Sequence, residues 1–191
     1  MSKHIAFIVI DGFADWEHAQ LSAAARGYFK GTTSFHSPGA RPVTSIGGMT
    51  IAPGAIEDLD PQEYDALVVI GSETWMGADA PDISAALRAA NEAGKVVGAI
   101  CAGTLAAERA GLLDSRRHTS NALDFMRANA KGYRAWDLYV DSPAAVRDGT
   151  VVTAPGSAPV TFAAEVLRAL YPEHSDGLDQ YKAMCAAELA A

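Results

Sequence analysis

One cysteine stands where a thiol could act as a nucleophile. Cys101 ends the apolar run V-V-G-A-I-C and is followed at once by A-G-T-L-A-A. A buried strand over 96–100 therefore gives way to helical composition within three residues. A side chain at such a corner is lifted out of the sheet and left at a helix N-terminus. The unpaired N–H groups and the dipole there favour negative charge. That field is expected to make the thiol more acidic and to favour the thiolate, which is the nucleophilic form. Ala99 and Gly103, two residues either side, match the spacing of a nucleophile elbow. The competing reading of Cys101 is a small buried core residue. Cys185, in the alanine-rich M-C-A-A-E-L-A-A, lacks this setting and reads as packing or exposed filler.

A thiol of this kind needs a partner that handles its proton. The segment D-G-F-A-D-W-E, after the first apolar run, puts Glu17 in the opening turn of a helix. An ionised carboxylate beside the sulfur would repel a thiolate, whereas a protonated one would donate a hydrogen bond to it. Only a Glu withdrawn from water stays protonated near neutrality. Two readings of Glu17 therefore stand: a partner of the thiol, or a solvated first-turn carboxylate that interacts with the dipole.

The elements that must position these groups follow from the apolar pattern. Strands are predicted at Ile5 to Ile10, Ser34 to His36, Ala66 to Ile70, Val96 to Ile100, Arg117 to Ser120, Tyr139 to Asp141, and twice within Val146 to Thr153, around a tight Asp148-Gly149 turn. Helices are predicted from Asp15, as the capping residue, to about Phe29, then over Pro81 to Ala93, from the elbow to Gly111, over Ala122 to Ala130, over Ser157 to Leu170, and in the tail over Asp176 to Ala191. The Gly- and Pro-rich stretch from Pro38 to Pro61 is expected to hold short hairpin strands around Val43 and Met49 to Ile51. This alternation is that of an α/β domain, a mostly parallel sheet with helices on both faces. The whole chain, 1–191, reads as a single domain with 172–191 as a C-terminal helical tail. In such a sheet ligands gather beyond the carboxyl ends of the strands, where the loop after Ile10, the Gly71 loop, the Cys101 elbow and the segment after Arg117 arrive.

Composition narrows the partners. A net charge of -8 argues against non-specific nucleic-acid binding and against docking on an anionic membrane. The N-terminal H-I-A-F-I-V-I is too short for a signal-peptide core with its flanks or for a membrane span. Two cysteines far apart form no disulfide framework, so a reducing cytoplasm is the expected setting. No metal-ligand spacing and no phosphate-binding loop appears, and no cofactor is expected.

Five segments together resemble one family. They are D-G-F-A-D-W-E with its preceding strand, G-S-E-T-W, A-I-C-A-G-T-L-A-A-E-R-A-G-L-L-D, R-R-H-T-S-N and A-P-G-S-A. Over residues 4 to about 170 they resemble the ThiJ/PfpI family of the DJ superfamily. That resemblance implies a flavodoxin-like three-layer sandwich of the class I glutamine amidotransferase-like type. It implies Cys101 as the reactive cysteine and Glu17 as a protonated partner, with the Gly71 and Ala102 amides as oxyanion donors. Trp75 and Thr74 fall at the pocket wall, although Thr74 reads more simply as loop packing. The protease-like branch carries a histidine directly after the cysteine, where this chain has Ala102. Asn121 occupies the position at which other branches carry one. His118 is a candidate base or pocket residue and His36, near the same rim, a comparable one, while His4, His18 and His174 read as surface residues. The resemblance further implies a homodimer acting on a small molecule. The expected function is a cysteine-dependent small-molecule hydrolase, amidase or lyase. The alternatives are a non-enzymatic redox-responsive stress protein, in which the cysteine is oxidised, and a binding module without turnover.

Overall fold

Four apolar runs, Ile5–Ile8, Ala66–Val69, Val96–Ile100 and Val151–Ala154, are buried along their whole length. A strand covered on both faces requires this, because alternate side chains point to opposite sides and neither side meets water. The computed structural model describes residues 2–189. In chain order its elements are β1 (His4–Ile8), α1 (Asp15–Gly27), β2 (Thr32–Ser37), β3 (Val43–Thr44), β4 (Thr50–Ile51), β5 (Gly54–Ala55) and β6 (Ala66–Val69). They continue as α2 (Ser84–Glu92), β7 (Val96–Ile100), α3 (Thr104–Arg109), α4 (Leu123–Asn129), β8 (Val146–Asp148), β9 (Val151–Ala154), α5 (Pro159–Leu170) and α6 (Ser175–Leu189).

Seven strands make one sheet in the order β5-β2-β1-β6-β7-β9-β8, and β3 and β4 form a separate antiparallel hairpin. All neighbours in the main sheet are parallel except β8 and β9. Ala6, Ile8, Leu67 and Val69 face a core closed by Leu87 of α2, Leu105 of α3 and Met126 of α4. Ile5, Phe7, Val68 and Val152 face the opposite core, closed by Leu21 and Ala24 of α1 and Phe162 and Val166 of α5. The result is a three-layer, flavodoxin-like sandwich. The carboxyl ends of β1, β6, β7 and β9 lie side by side in it, so their following loops share one rim.

The structure differs from the sequence reading at several places. Residues 117–120 and 139–141 are not strands; their backbones pair through one His118–Tyr139 bridge, and the Tyr139 hydroxyl donates to Ser120 O at 3.2 Å. The Thr119 amide donates instead to Thr153 Oγ1, at 2.9 Å, a side-chain bond that breaks the ladder. Asp15 does not cap α1, since Ala14 holds that position and makes no side-chain cap. The Asp15 carboxylate accepts from Ser45 Oγ at 2.5 Å and from the Gly47 amide at 2.8 Å, which anchors the β3–β4 hairpin. α2 starts at Ser84, not Pro81, because Asp82 Oδ1 accepts the Ser84 N–H at 2.9 Å. His18 is no surface residue. It packs against Phe7, Phe13 and Phe35, and burial lowers its pKa. The predicted tail helix is α6, which packs on the body through buried Leu178 and an Arg168–Asp179 ion pair at 2.6 Å. Its last two predicted residues lie outside the described range.

Candidate active site

Ile100 is still extended, and Cys101 then turns into the left-handed region at φ 57°. A β-carbon disfavours this conformation by about 1–2 kcal/mol, so the surroundings must hold it. Thr104 does so. Its hydroxyl donates to the Cys101 carbonyl at 2.6 Å and, having spent its only proton, accepts from Ser120 Oγ at 2.7 Å. The elbow is thereby tied to the segment that delivers Asn121.

Glu17 has no solvent exposure. Its Oε2 accepts the Gly71 N–H at 2.7 Å. Its Oε1 has no conventional hydrogen bond and turns toward the sulfur. A Cβ added to Gly156 would stand 2.8 Å from Cys101 Sγ and 3.0 Å from Glu17 Oε1, so both atoms converge on one point. A Cβ on Gly71 would stand 2.6 Å from Glu17 Oε2 and 2.7 Å from Cys101 Cβ. Glycine at 71 and 156 is what lets two loops close around the thiol and carboxyl.

Burial raises the Glu17 pKa to about 7, against the Gly71 amide and the thiol, which hold it down. The Cys101 thiol is pushed up to about 11, first by burial and then by the Glu17 charge. Asn121 and the Ala102 amide act in the opposite direction. The expected acidification by a helix N-terminus is therefore not what dominates. The sulfur sits in a short 3-10 turn, Cys101–Gly103, ahead of the six-residue α3, and desolvation outweighs that weak field. The pair titrates as a unit, holding a single proton over the interval between its two steps.

Gly71 and Ala102, the two expected oxyanion donors, fare differently. The Gly71 amide is taken by Glu17, which corrects that expectation. The Ser72 amide beside it has no protein acceptor among the described residues, and the Ala102 amide lies against the sulfur. Asn121 Nδ2 donates to Cys101 Sγ at 3.2 Å, and its Oδ1 accepts the Gly156 N–H at 2.9 Å. An amide is no base, so Asn121 belongs to the pocket as a donor.

His118 lies elsewhere. It is fully buried, its Nδ1 donates to Arg116 O at 2.7 Å, and its Nε2 meets the Tyr133 hydroxyl at 2.6 Å. Both nitrogens are used and burial lowers its pKa, so it clamps residues 116–118 to Tyr133 and does not serve as a base. Trp75 is likewise core, not pocket wall, with its Nε1 donating to Ile70 O at 2.9 Å. Thr74 donates to Asp11 O at 3.1 Å, which is loop packing. His36 bonds Ser34 Oγ and Ala55 O, at 2.8 and 3.2 Å. Three contributors were not anticipated: Thr104, Ser120 and Trp16, whose indole N–H donates to Gly156 O at 3.0 Å. The residue types of Thr104 and Ser120 carry no signal for this. Among the described residues, no group of three or more His, Cys, Asp or Glu side chains is placed to hold a metal.

The sequence and the fold have relatives. The uncharacterized protease YoaZ of Bacillus subtilis is 32% identical over 177 residues, which are 88% of this chain and 84% of that protein. The structure of the DJ-1 superfamily protein Atu0886 from Agrobacterium tumefaciens superposes with a TM-score of 0.85 at 39% identity, covering 96% of this chain and 99% of the other. The thiJ/pfpI family protein from Bacillus anthracis gives 0.80 at 30% identity, over 88% and 82% of the two chains. The model of the DJ-1/PfpI family matches residues 3–169, a span that runs from β1 through the elbow and nearly to the end of α5. With sequence and fold in agreement over that span, the chain belongs to the DJ-1/PfpI family.

Proposed function

We propose that Cys101 is the nucleophile of a small-molecule hydrolase, amidase or lyase and that Glu17 is the group that takes and returns its proton. The observation that carries this reading is the convergence of a left-handed Cys101 on a carboxyl withdrawn from water, whose pKa lies at about 7. A strained backbone and a perturbed carboxyl at one rim are each common at catalytic centres, and here they coincide. In the first step the thiol proton passes to the Glu17 carboxylate and the sulfur attacks a carbonyl carbon. The π pair moves onto oxygen, where the Ala102 amide can receive it. In a hydrolysis, the protonated Glu17 then gives its proton to the leaving group. Water attacks the thioester, its proton returns to Glu17, and the sulfur leaves as thiolate. No histidine is needed, which accommodates Ala102 after the cysteine and the structural engagement of His118.

Turnover of a panel of small aldehydes, amides and esters tests the reading. Cys101→Ser is expected to abolish activity with the melting temperature kept. Activity that survives this substitution overturns it.

One arrangement favours the redox alternative. Asn121 Nδ2, the Ala102 amide and a protonated Glu17 would surround a sulfinate with three donors. Two equivalents of hydrogen peroxide would each transfer one oxygen to the sulfur and leave as water. On that reading mild peroxide adds two oxygens at Cys101, and Glu17→Leu prevents it. The same proposal places the protein in a reducing cytoplasm as a homodimer. No helix among the described residues is long and apolar enough to cross a membrane. Light scattering is expected to give twice the chain mass.

A further inference from the structure

We propose that Trp16 is a positioning residue for the Cys101 thiolate, acting through Gly156 and Asn121. This rests on the reading of Cys101 as the nucleophile and adds a residue to its support. The connection runs through three hydrogen bonds. The Trp16 indole N–H donates to Gly156 O at 3.0 Å, the Gly156 N–H donates to Asn121 Oδ1 at 2.9 Å, and Asn121 Nδ2 donates to Cys101 Sγ at 3.2 Å.

Each link has a direction fixed by chemistry. A backbone N–H can only donate, so the Gly156 amide must face the oxygen of Asn121 and not its NH2. That choice leaves the NH2 for the sulfur. Turned over, the side chain would set two donors against each other at Gly156 and a carbonyl oxygen against a thiolate. Gly156 thus decides that the sulfur meets a donor, which favours the charged form.

Gly156 is also the residue least able to hold itself in place. It must lack a β-carbon, because one would stand 2.8 Å from the sulfur. The same lack leaves its backbone free to adopt many conformations. Trp16 removes that freedom by gripping the carbonyl while Asn121 holds the amide. The indole is 49% exposed, so burial of the ring does not account for its placement. Trp16 and Glu17 are consecutive in the first turn of α1. One turn therefore holds two loops against the sulfur, Glu17 the Gly71 loop and Trp16 the Gly156 loop.

The test is alkylation of Cys101 by iodoacetamide as a function of pH, on the plateau between the Glu17 and Cys101 steps. Asn121→Leu is expected to lower that plateau about tenfold, the scale of a lost hydrogen bond to a charged group. Trp16→Phe keeps an aromatic side chain, removes the N–H, and is expected to lower it about threefold, a fraction of the same effect. The double variant should fall no further than Asn121→Leu alone, because Trp16 acts through Asn121. The rise near pH 7 should stay in place in every variant, since Glu17 is untouched. Should Trp16→Phe disturb the fold, benzothienylalanine at position 16 replaces N–H by sulfur in a ring of nearly the same shape. An unchanged plateau in the single variant, or additive losses in the double, overturns the proposal. Turnover on the substrate panel is a separate readout. Failure of Cys101→Ser to abolish it would sink the catalytic reading and leave the thiol-acidity result standing.

Discussion

Cys101 holds a backbone conformation that almost any side chain but glycine resists, and it does so at the point where the sulfur is needed. The strain has a measurable consequence. Cys101→Gly and Cys101→Ala both remove the thiol, but only the alanine keeps a β-carbon in the left-handed region. The glycine variant should be the more stable by about 1 kcal/mol in urea unfolding, against the usual order of these residues. Equal stability would show that the elbow is not strained. The role of Glu17 could not be chosen from residue types, because its two readings differ only in burial. Burial is decided by what packs over the first turn of α1. The sequence pattern shows Cys101 clearly, since an apolar run that ends on a thiol is local information. Asn121 was placed at the right segment, but its chemistry as a donor depends on the Gly156 amide, 35 residues away.

The loops that reach the rim are held there by a few side-chain bonds each. Thr104 joins the elbow to Ser120 and so fixes where Asn121 arrives. Thr104→Val keeps the shape but strands the buried Ser120 hydroxyl and takes the side-chain donor from the Cys101 carbonyl, which retains only the Thr104 backbone N–H. It is expected to cost about 1–3 kcal/mol in denaturant unfolding and to slow alkylation of Cys101. A loss of stability with reactivity unchanged would show that this link does not position the site. Gly156→Ala is expected to displace the loop, because the new methyl meets Sγ and Oε1 within 3.0 Å. Its readout is loss of thiol reactivity; wild-type reactivity would show that the loop can yield. The long apolar strands were legible because strands covered on both faces need unbroken apolar runs. β5 has only two residues and leaves no such trace, and the segment around His118 has strand-like composition yet spends the Arg117 and Thr119 amides on side-chain acceptors.

At the scale of the whole molecule, the site is carried at a cost in stability. The Glu17 pKa rises from 4.5 to about 7 in the fold. The folded state therefore binds the Glu17 proton more tightly than the unfolded chain does. Stability from this group is complete below the unfolded value and is lost as pH rises through the folded one. At about 1.4 kcal/mol per pKa unit, the loss above pH 7 is about 3 kcal/mol. Glu17→Gln is expected to abolish that loss, raising the melting temperature above pH 7 more than at pH 4. A melting temperature that moves equally at both would remove the buried carboxyl from the account. The three-layer architecture was readable from strand and helix alternation alone, and so was the rim where strands end. Which of the arriving side chains meet there was not, because several of the bonds around the sulfur join segments far apart in the chain.

The most direct measurement is the rate of Cys101 alkylation against pH in the wild type and in Glu17→Gln. A coupled thiol and carboxyl predict two rises in the wild type, the first near pH 7 as Glu17 ionises and can accept the thiol proton. In Glu17→Gln that first rise should vanish, and the remaining one should fall below the wild-type thiol value of about 11 because the neighbouring charge is gone. A single rise at an ordinary thiol pKa, identical in both proteins, would contradict the pairing of Cys101 with Glu17.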